Sequence, residues 1–306
     1  GGGEVALVGA GAMGAGIAQV SAQAGYDVLL ADISIAQAQK GKAGIAKLLA
    51  RSVEKDKLDQ ADADAALARI TPITDHAAFA PCDLVIEAAT EREEIKRQIF
   101  ASVGPHLGSH AILASNTSSI PITRLAQAAP DAGRFIGVHF FNPVPVMGLI
   151  EVIRGLATSD TTLATVEAFG QSLGKMLVHA QDAPGFIVNR VLMPLINEAV
   201  FVLGEGVATM QDIDTGCRLG LNHPMGPLTL ADFIGLDTCL DIIRVLQTST
   251  GDSKFRPAPL LVNMSRPAGS ARNAAAAFMT GRGRSPCRPG RVEQKLEYRP
   301  GRVEQI

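Results

Sequence analysis

Short apolar runs, unbroken rather than alternating, punctuate the first part of the chain at residues 5–8, 27–31, 84–88, 111–115, 135–140 and 149–153. Strands that are apolar on both sides suit a parallel sheet covered by helices on both faces. Helical periodicity fills several of the gaps, first over residues 13–24. The pattern changes after Asp182-Ala183-Pro184-Gly185, where long segments with apolar spacing near 3.6 predict helices over 186–204, 210–220 and 228–246. The expected architecture is a doubly wound α/β domain over residues 1–183 and a smaller all-α domain over 184–264. From residue 265 the periodicity gives way to Arg-Pro, Gly-Arg and Ala-Ala-Ala-Ala text, with Arg-Pro-Gly-Arg-Val-Glu-Gln at 288–294 and again at 299–305. Two copies are too few for a solenoid.

Composition agrees with two globular cores. Of 306 residues 47% are hydrophobic and 19% charged, and 31 Gly and 17 Pro exclude collagen-like and low-complexity classes. Residues 5–26 hold no charge, a span long enough to cross a bilayer, but five glycines interrupt it and a strand-turn-helix reading fits better. No Lys or Arg precedes the run, so it does not read as a signal peptide, and no membrane role is expected. Cys82, Cys217, Cys239 and Cys287 form no Cys-x-x-Cys pair, which argues against a metal site or a disulfide scaffold and for a reducing, cytoplasmic setting. The net charge of −2 conceals an asymmetry. Residues 265–306 hold nine Lys and Arg against three Glu, so the tail carries +6 and the remainder −8.

Gly9-Ala10-Gly11-Ala12-Met13-Gly14 follows the first predicted strand and opens a helix. In such a turn the first glycine permits the tight bend and the second admits a pyrophosphate. The third lets helix and strand pack, with the helix N-terminus facing the phosphates. Asp32 lies 18 residues past Gly14 at the end of the second strand, where a carboxylate accepts from the ribose hydroxyls and repels a 2′-phosphate. Together they predict NAD rather than NADP, and a Rossmann-type fold. His139 ends another strand, on the edge where ligands collect, and Glu151 follows twelve residues later. Imidazole suits the removal of a hydroxyl proton during hydride loss, with a carboxylate on its other nitrogen to fix the tautomer. Alone, a His beside Phe140 and Phe141 reads more readily as a satisfied core residue; His76, His106, His110, His179 and His223 have no comparable company.

GAGAMGAGIAQV, DLVIEAATE, SNTSSIPIT, GVHFFNPVPVMGLIEVI, DAPGFIVNRVLMPLINEAV and MGPLTLADFIGLD occur in this order between the first strand and about Pro259. As a set they resemble the 3-hydroxyacyl-CoA dehydrogenase family, most closely its short bacterial 3-hydroxybutyryl-CoA branch. The resemblance implies reversible NAD-dependent oxidation of (S)-3-hydroxyacyl-CoA to 3-oxoacyl-CoA, in fatty acid metabolism and β-oxidation, by a homodimer joined through its helical domain. It implies that His139 and Glu151 are the base and its partner, that Ser118 bonds the 3-oxygen, and that Asn189 polarises the substrate carbonyl. Glu91 and Lys96 match nicotinamide-ribose contacts, and Asn142 another cofactor-side residue. Read from the sequence alone, Ser118 is a turn hydroxyl and Asn189 a helix N-cap. Lys40, Lys42, Lys47, Arg51, Lys55 and Lys57 meet the phosphates of coenzyme A or form a solvated face with Glu54 and Asp56. A sugar-acid or carnitine dehydrogenase of the same fold is the remaining family-level reading.

The resemblance breaks near Met264. Family members close with segments like Gly-Trp-Leu-Gly and Gly-Arg-Gly-Phe-Tyr-Asp, whereas this chain has Pro-Ala-Gly-Ser-Ala at 267–271 and Ala-Ala-Phe-Met-Thr at 276–280. With suitable codons, both family pieces reappear when the gene is read two bases later. The expectation is therefore a single-base shift near codon 264 and an out-of-frame, poorly ordered tail, with an NAD-binding but catalytically impaired protein as the alternative. A basic arm for nucleic acid is the rival reading; it lacks the aromatics that stacking needs, so no nucleic-acid partner is expected.

Overall fold

The computed structural model describes residues 3–265, and the expectations for residues 266–306 lie outside them. The first part is built from β1 (Glu4–Val8), α1 (Ala12–Gln23), β2 (Asp27–Ala31), α2 (Ile35–Glu54), α3 (Gln60–Ala68), β3 (Ile70–Ile73), β4 (Leu84–Glu87), α4 (Glu93–Val103), β5 (Ile112–Ser115), α5 (Ile122–Ala126), β6 (Phe135–Phe140), β7 (Leu149–Arg154), α6 (Asp160–Ser172) and β8 (Met176–Gln181). The helical part comprises α7 (Val188–Gly204), α8 (Met210–Gly220), α9 (Pro227–Ile234), α10 (Leu236–Thr250) and α11 (Pro259–Met264).

The strands form one sheet in the order β3-β2-β1-β4-β5-β6-β7-β8. Side chains alternate between its faces: Val5 and Leu7 of β1 join the cluster under α1, α2 and α6, and Ala6 and Val8 the cluster under α4 and α5. A third cluster, including Met193, Ile196, Leu228 and Leu246, is the core of the helical part. The apolar run 5–26 divides into β1, a turn and α1, and among the described residues no helix is long and apolar enough to cross a membrane.

Three expectations need correction. The sheet is not wholly parallel: β7 runs antiparallel to β6, and β8 follows β7. Eight residues separate β6 from β7, too few for a helical crossover, so the chain can only turn back. Strands β3 and β8 lie outside the predicted runs: Thr71 and Pro72 interrupt β3, and the three apolar residues that open β8 give way to His179. Pro72 sits in β3, tolerable because that strand lies at the sheet's edge, and β8 forms the opposite edge, half exposed. The helix expected over 228–246 is two helices. Gly235 adopts φ 104°, a backbone outside the helical region, which ends α9 before α10 begins.

Candidate active site

The glycine turn has the geometry its sequence implies. Gly9 has φ 107°, and a Cβ there would lie 2.6 Å from the Ala88 carbonyl. A Cβ on Gly14 would lie 1.7 Å from the Gly9 oxygen, so only hydrogen fits between β1 and α1. A Cβ on Gly11 would meet nothing within 4 Å: above this residue the turn is open. Gly11 caps α1 without a side-chain bond, and no acidic residue sits in the first turn, so the helix presents free N–H groups and its positive end to that space. These features fit a diphosphate group. The Asp32 carboxylate accepts from Ala10 N at 2.8 Å and from Ile33 N at 2.7 Å, which ties the turn to the end of β2. A cavity of about 520 Å³ opens beside it, with Ala12, Asp32, Lys40, Gly44 and Asn142 among its walls. Met13 is half-buried against the core below.

On the same edge of the sheet, the antiparallel register sets His139 of β6 directly opposite Glu151 of β7. Nδ1 of His139 lies 2.9 Å from Glu151 Oε1, and the two residues are 7% and 0% exposed. A carboxylate only accepts, so Nδ1 carries the hydrogen and the lone pair is left on Nε2. Oε2 of Glu151 accepts from Ile187 N at 2.7 Å and Val188 N at 3.4 Å, at the start of α7. The positive end of that helix thus faces the carboxylate. Phe141 and Phe186 flank the imidazole at 4.7 and 5.8 Å between ring centres. Phe186 has φ 48°, an uncommon backbone for a bulky residue, held between Gly185 and the Glu151-bound turn.

Glu91 follows β4 and gathers the loop after β5. It accepts from Thr117 Oγ1 at 3.1 Å, Ser119 Oγ at 2.8 Å, and both the amide and hydroxyl of Ser118 at 3.4 Å. Lys96 lies beneath this cluster rather than at its surface: it is 1% exposed, and its ammonium donates to Glu87 at 2.6 and 2.9 Å. Asn189 is not an N-cap. Ile187 occupies that position, and Asn189 is the second residue of α7. Asn142 is exposed at the cavity rim. Lys42 is half-buried, while Lys40, Lys47, Arg51, Lys55 and Lys57 are exposed.

Sequence reasoning missed three polar residues. Glu87, fully buried, ends an apolar strand, and its charge within that run was the available signal. Lys175 donates to the Val144 and Met147 carbonyls at 2.6 and 2.7 Å and pins the loop that carries Asn142. Asp182 accepts from Ile122 N and Thr123 N, both at 2.8 Å, and so caps α5. Neither contact has a local sequence signature.

Residues 4–183 match the family profile of the 3-hydroxyacyl-CoA dehydrogenase NAD binding domain, and residues 185–280 that of the 3-hydroxyacyl-CoA dehydrogenase C-terminal domain. The chain is 52% identical over 259 residues to a 3-hydroxybutyryl-CoA dehydrogenase of Bradyrhizobium diazoefficiens, covering 85% of this chain and 88% of that one. It is 48% identical over 258 residues to a probable 3-hydroxybutyryl-CoA dehydrogenase of Bacillus subtilis, covering 84% and 90%. The crystal structure of (S)-3-hydroxybutyryl-CoA dehydrogenase from Ralstonia eutropha superimposes with a TM-score of 0.84 at 53% identity, over 86% of this chain and 93% of the other. None of these matches supports the catalytically impaired alternative. Matched in both parts, and half-identical to relatives over most of their length, this chain belongs to the 3-hydroxyacyl-CoA dehydrogenase family.

Proposed function

We propose that this protein catalyses the reversible, NAD-dependent oxidation of (S)-3-hydroxyacyl-CoA, with 3-hydroxybutyryl-CoA as substrate, to 3-oxoacyl-CoA. The observation that carries the reading is the His139–Glu151 pair on the sheet edge that also holds the open glycine turn. Bound at the turn and Asp32, NAD supplies the hydride acceptor. His139 Nε2 takes the proton of the 3-hydroxyl, and Glu151 stabilises the resulting imidazolium. In the reverse direction the imidazolium returns that proton to the 3-oxygen. Ser118 hydrogen-bonds the 3-oxygen, and Asn189, in the first turn of α7, polarises the thioester carbonyl. Glu91 and Asn142 meet the nicotinamide side, with Lys96 supporting Glu91 from below. Asp32 disfavours a 2′-phosphate by charge.

Lys40, Lys47, Arg51 and Lys55 fall on one stripe of α2 and its C-cap at helical spacing, the stripe that includes the cavity-lining Gly44 and Leu48. None of the four forms an ion pair among the described residues, which favours their meeting the phosphates of coenzyme A over a solvated, self-paired face. We read residues 1–183 as the NAD-binding domain and 184–264 as the substrate and dimerisation domain of a cytoplasmic homodimer in β-oxidation. Exposed Val191, Leu219 and Phe233 give the helical domain apolar surface for that contact. We keep the single-base shift as the origin of residues 265–306; the gene's DNA across codons 255–306 must then encode Gly-Trp-Leu-Gly in another frame.

The test of function is acetoacetyl-CoA-dependent oxidation of NADH. Turnover that His139→Ala removes, with NADH binding kept, is the expected result. A wild-type chain that oxidises NADH with free 3-oxo acids but not with the thioester would overturn the acyl-CoA reading.

A further inference from the structure

Glu87 ends β4, the strand beside β1, and is fully buried. Its carboxylate receives four hydrogen bonds: Lys96 Nζ to both oxygens at 2.6 and 2.9 Å, Ser115 Oγ at 2.7 Å, and Ala89 N at 2.9 Å. An isolated buried ion would cost several kcal/mol, so each of Glu87 and Lys96 is tenable only because of the other. The same ammonium stands 3.7 Å from Glu91 Oε1, beyond a hydrogen bond. Every hydrogen bond that Glu91 does receive comes from an uncharged donor, on Thr117, Ser118 and Ser119. Arg97 and Arg124 both pair with Glu93, and Arg92, next to Glu91 in sequence, is exposed and forms no ion pair among the described residues. Two carboxylates therefore share one cation that is closed around the deeper of them, and one net negative charge remains at the half-exposed Glu91.

We propose that Glu87 is a positioning residue that neutralises Lys96, leaving the charge of Glu91 uncompensated beside the nicotinamide so that the site favours the positively charged, oxidised cofactor over the reduced one. This rests on the reading of Glu91 as a nicotinamide-side residue. If Glu87 loses its charge, Lys96 is left to compensate Glu91, and the trio becomes neutral. One unit charge acting over about 10 Å through an effective dielectric of ~20 alters a binding equilibrium roughly tenfold. Only the oxidised ring carries the charge that feels this change. A pair that merely braced β4, α4 and β5 would weaken both forms alike.

The experiment is fluorescence titration of the full chain with NADH, and competition with NAD⁺, to give the ratio of the two dissociation constants. Glu87→Gln is expected to raise Kd(NAD⁺)/Kd(NADH) roughly tenfold, and E87Q/K96M to return it to within about threefold of wild type, because removal of both charges leaves the Glu91 charge uncompensated again. A ratio unchanged in E87Q, with both constants shifted together, overturns the proposal, and so does a ratio that stays raised in E87Q/K96M. Should E87Q not fold, Glu91→Gln, on the half-exposed member, must raise the ratio; an unchanged ratio there is equally fatal. A wild-type chain that binds neither form removes the cofactor reading itself, a failure distinct from an unchanged ratio.

Discussion

Glu151→Gln looks conservative and is predicted to be severe. Glu151 is fully buried and accepts on both sides: from His139 Nδ1 at 2.9 Å and from Ile187 N at 2.7 Å, with Val188 N at 3.4 Å. Glutamine has one acceptor oxygen and one NH₂ of donors. If its oxygen faces the backbone of α7, the NH₂ faces Nδ1, which must then accept. The proton moves to Nε2, and the base becomes a donor. If instead the oxygen faces His139, the NH₂ meets the Ile187 N–H, and two donors oppose each other in a buried site. The first arrangement forfeits general-base catalysis, about 10²–10⁴-fold in kcat. The second leaves a buried donor unsatisfied, at about 1–3 kcal/mol, and rotates α7 away from the sheet. Steady-state reduction of NAD⁺ with 3-hydroxybutyryl-CoA, the direction in which His139 acts as the base, should therefore show kcat reduced at least about 100-fold. NADH affinity, set at the distant glycine turn, should stay within about threefold, because sites without shared partners behave independently. A kcat for E151Q within about tenfold of wild type would refute both the tautomer argument and the role of the carboxylate.

Gly14→Ala would place a methyl 1.7 Å from the Gly9 oxygen, so α1 must move off β1; NADH titration should show binding lost or weakened by more than about 30-fold, and near-normal affinity would show that the turn does not need this contact. Lys175→Met removes two charge-assisted bonds to the Asn142 loop, each of about 1.5–3 kcal/mol, and should raise KM for cofactor and thioester together while kcat changes less than about threefold; a pure kcat loss would place Lys175 in the chemistry instead. Burial pushes the thiols of Cys82 and Cys239 from 9.0 up to about 12. Between these values the unfolded chain has lost thiol protons that the folded chain retains, so folding stability must fall as pH rises through this window, by about 1.4 kcal/mol per unit for each thiol. Urea midpoints at pH 8 and 10.5 should converge in C82A/C239A, and an equal fall in that variant would assign the loss to other groups.

What could be read from the sequence divides along a physical line. The glycine turn was legible because its function demands a backbone conformation, and φ 107° at Gly9 together with the contact at Gly14 leaves only one residue type. The covered strands were legible because burial on both faces writes an apolar run; β3 and β8, on the two edges, write a broken or a short one. The reversal at β7 was implicit in the eight-residue gap after Phe140, yet β7 is apolar like its parallel neighbours, and composition does not record direction. The pairing of Glu87 with Lys96 escaped for the opposite reason. The resemblance put Lys96 at the cofactor and the charge of Glu87 stood out in its apolar run, but only the fold shows that they cancel each other beneath Glu91.

The reversal explains why the histidine and the glutamate need to be twelve residues apart. In an antiparallel pair, opposed side chains point to the same face, so a turn of the right length sets position 139 against position 151 without help from any other element. That face is the one reached by Phe186 and the start of α7. Glu151 therefore performs two tasks with its two oxygens: one fixes the imidazole, the other fastens the first helix of the second domain to the sheet. Asn189, two residues beyond Ile187, lies in the first turn of the helix so fastened. The proposed base and the proposed carbonyl-polarising residue, 50 positions apart, are thus both tied to a single carboxylate. A shift of either strand by one residue would turn Glu151 to the opposite face and undo both connections at once.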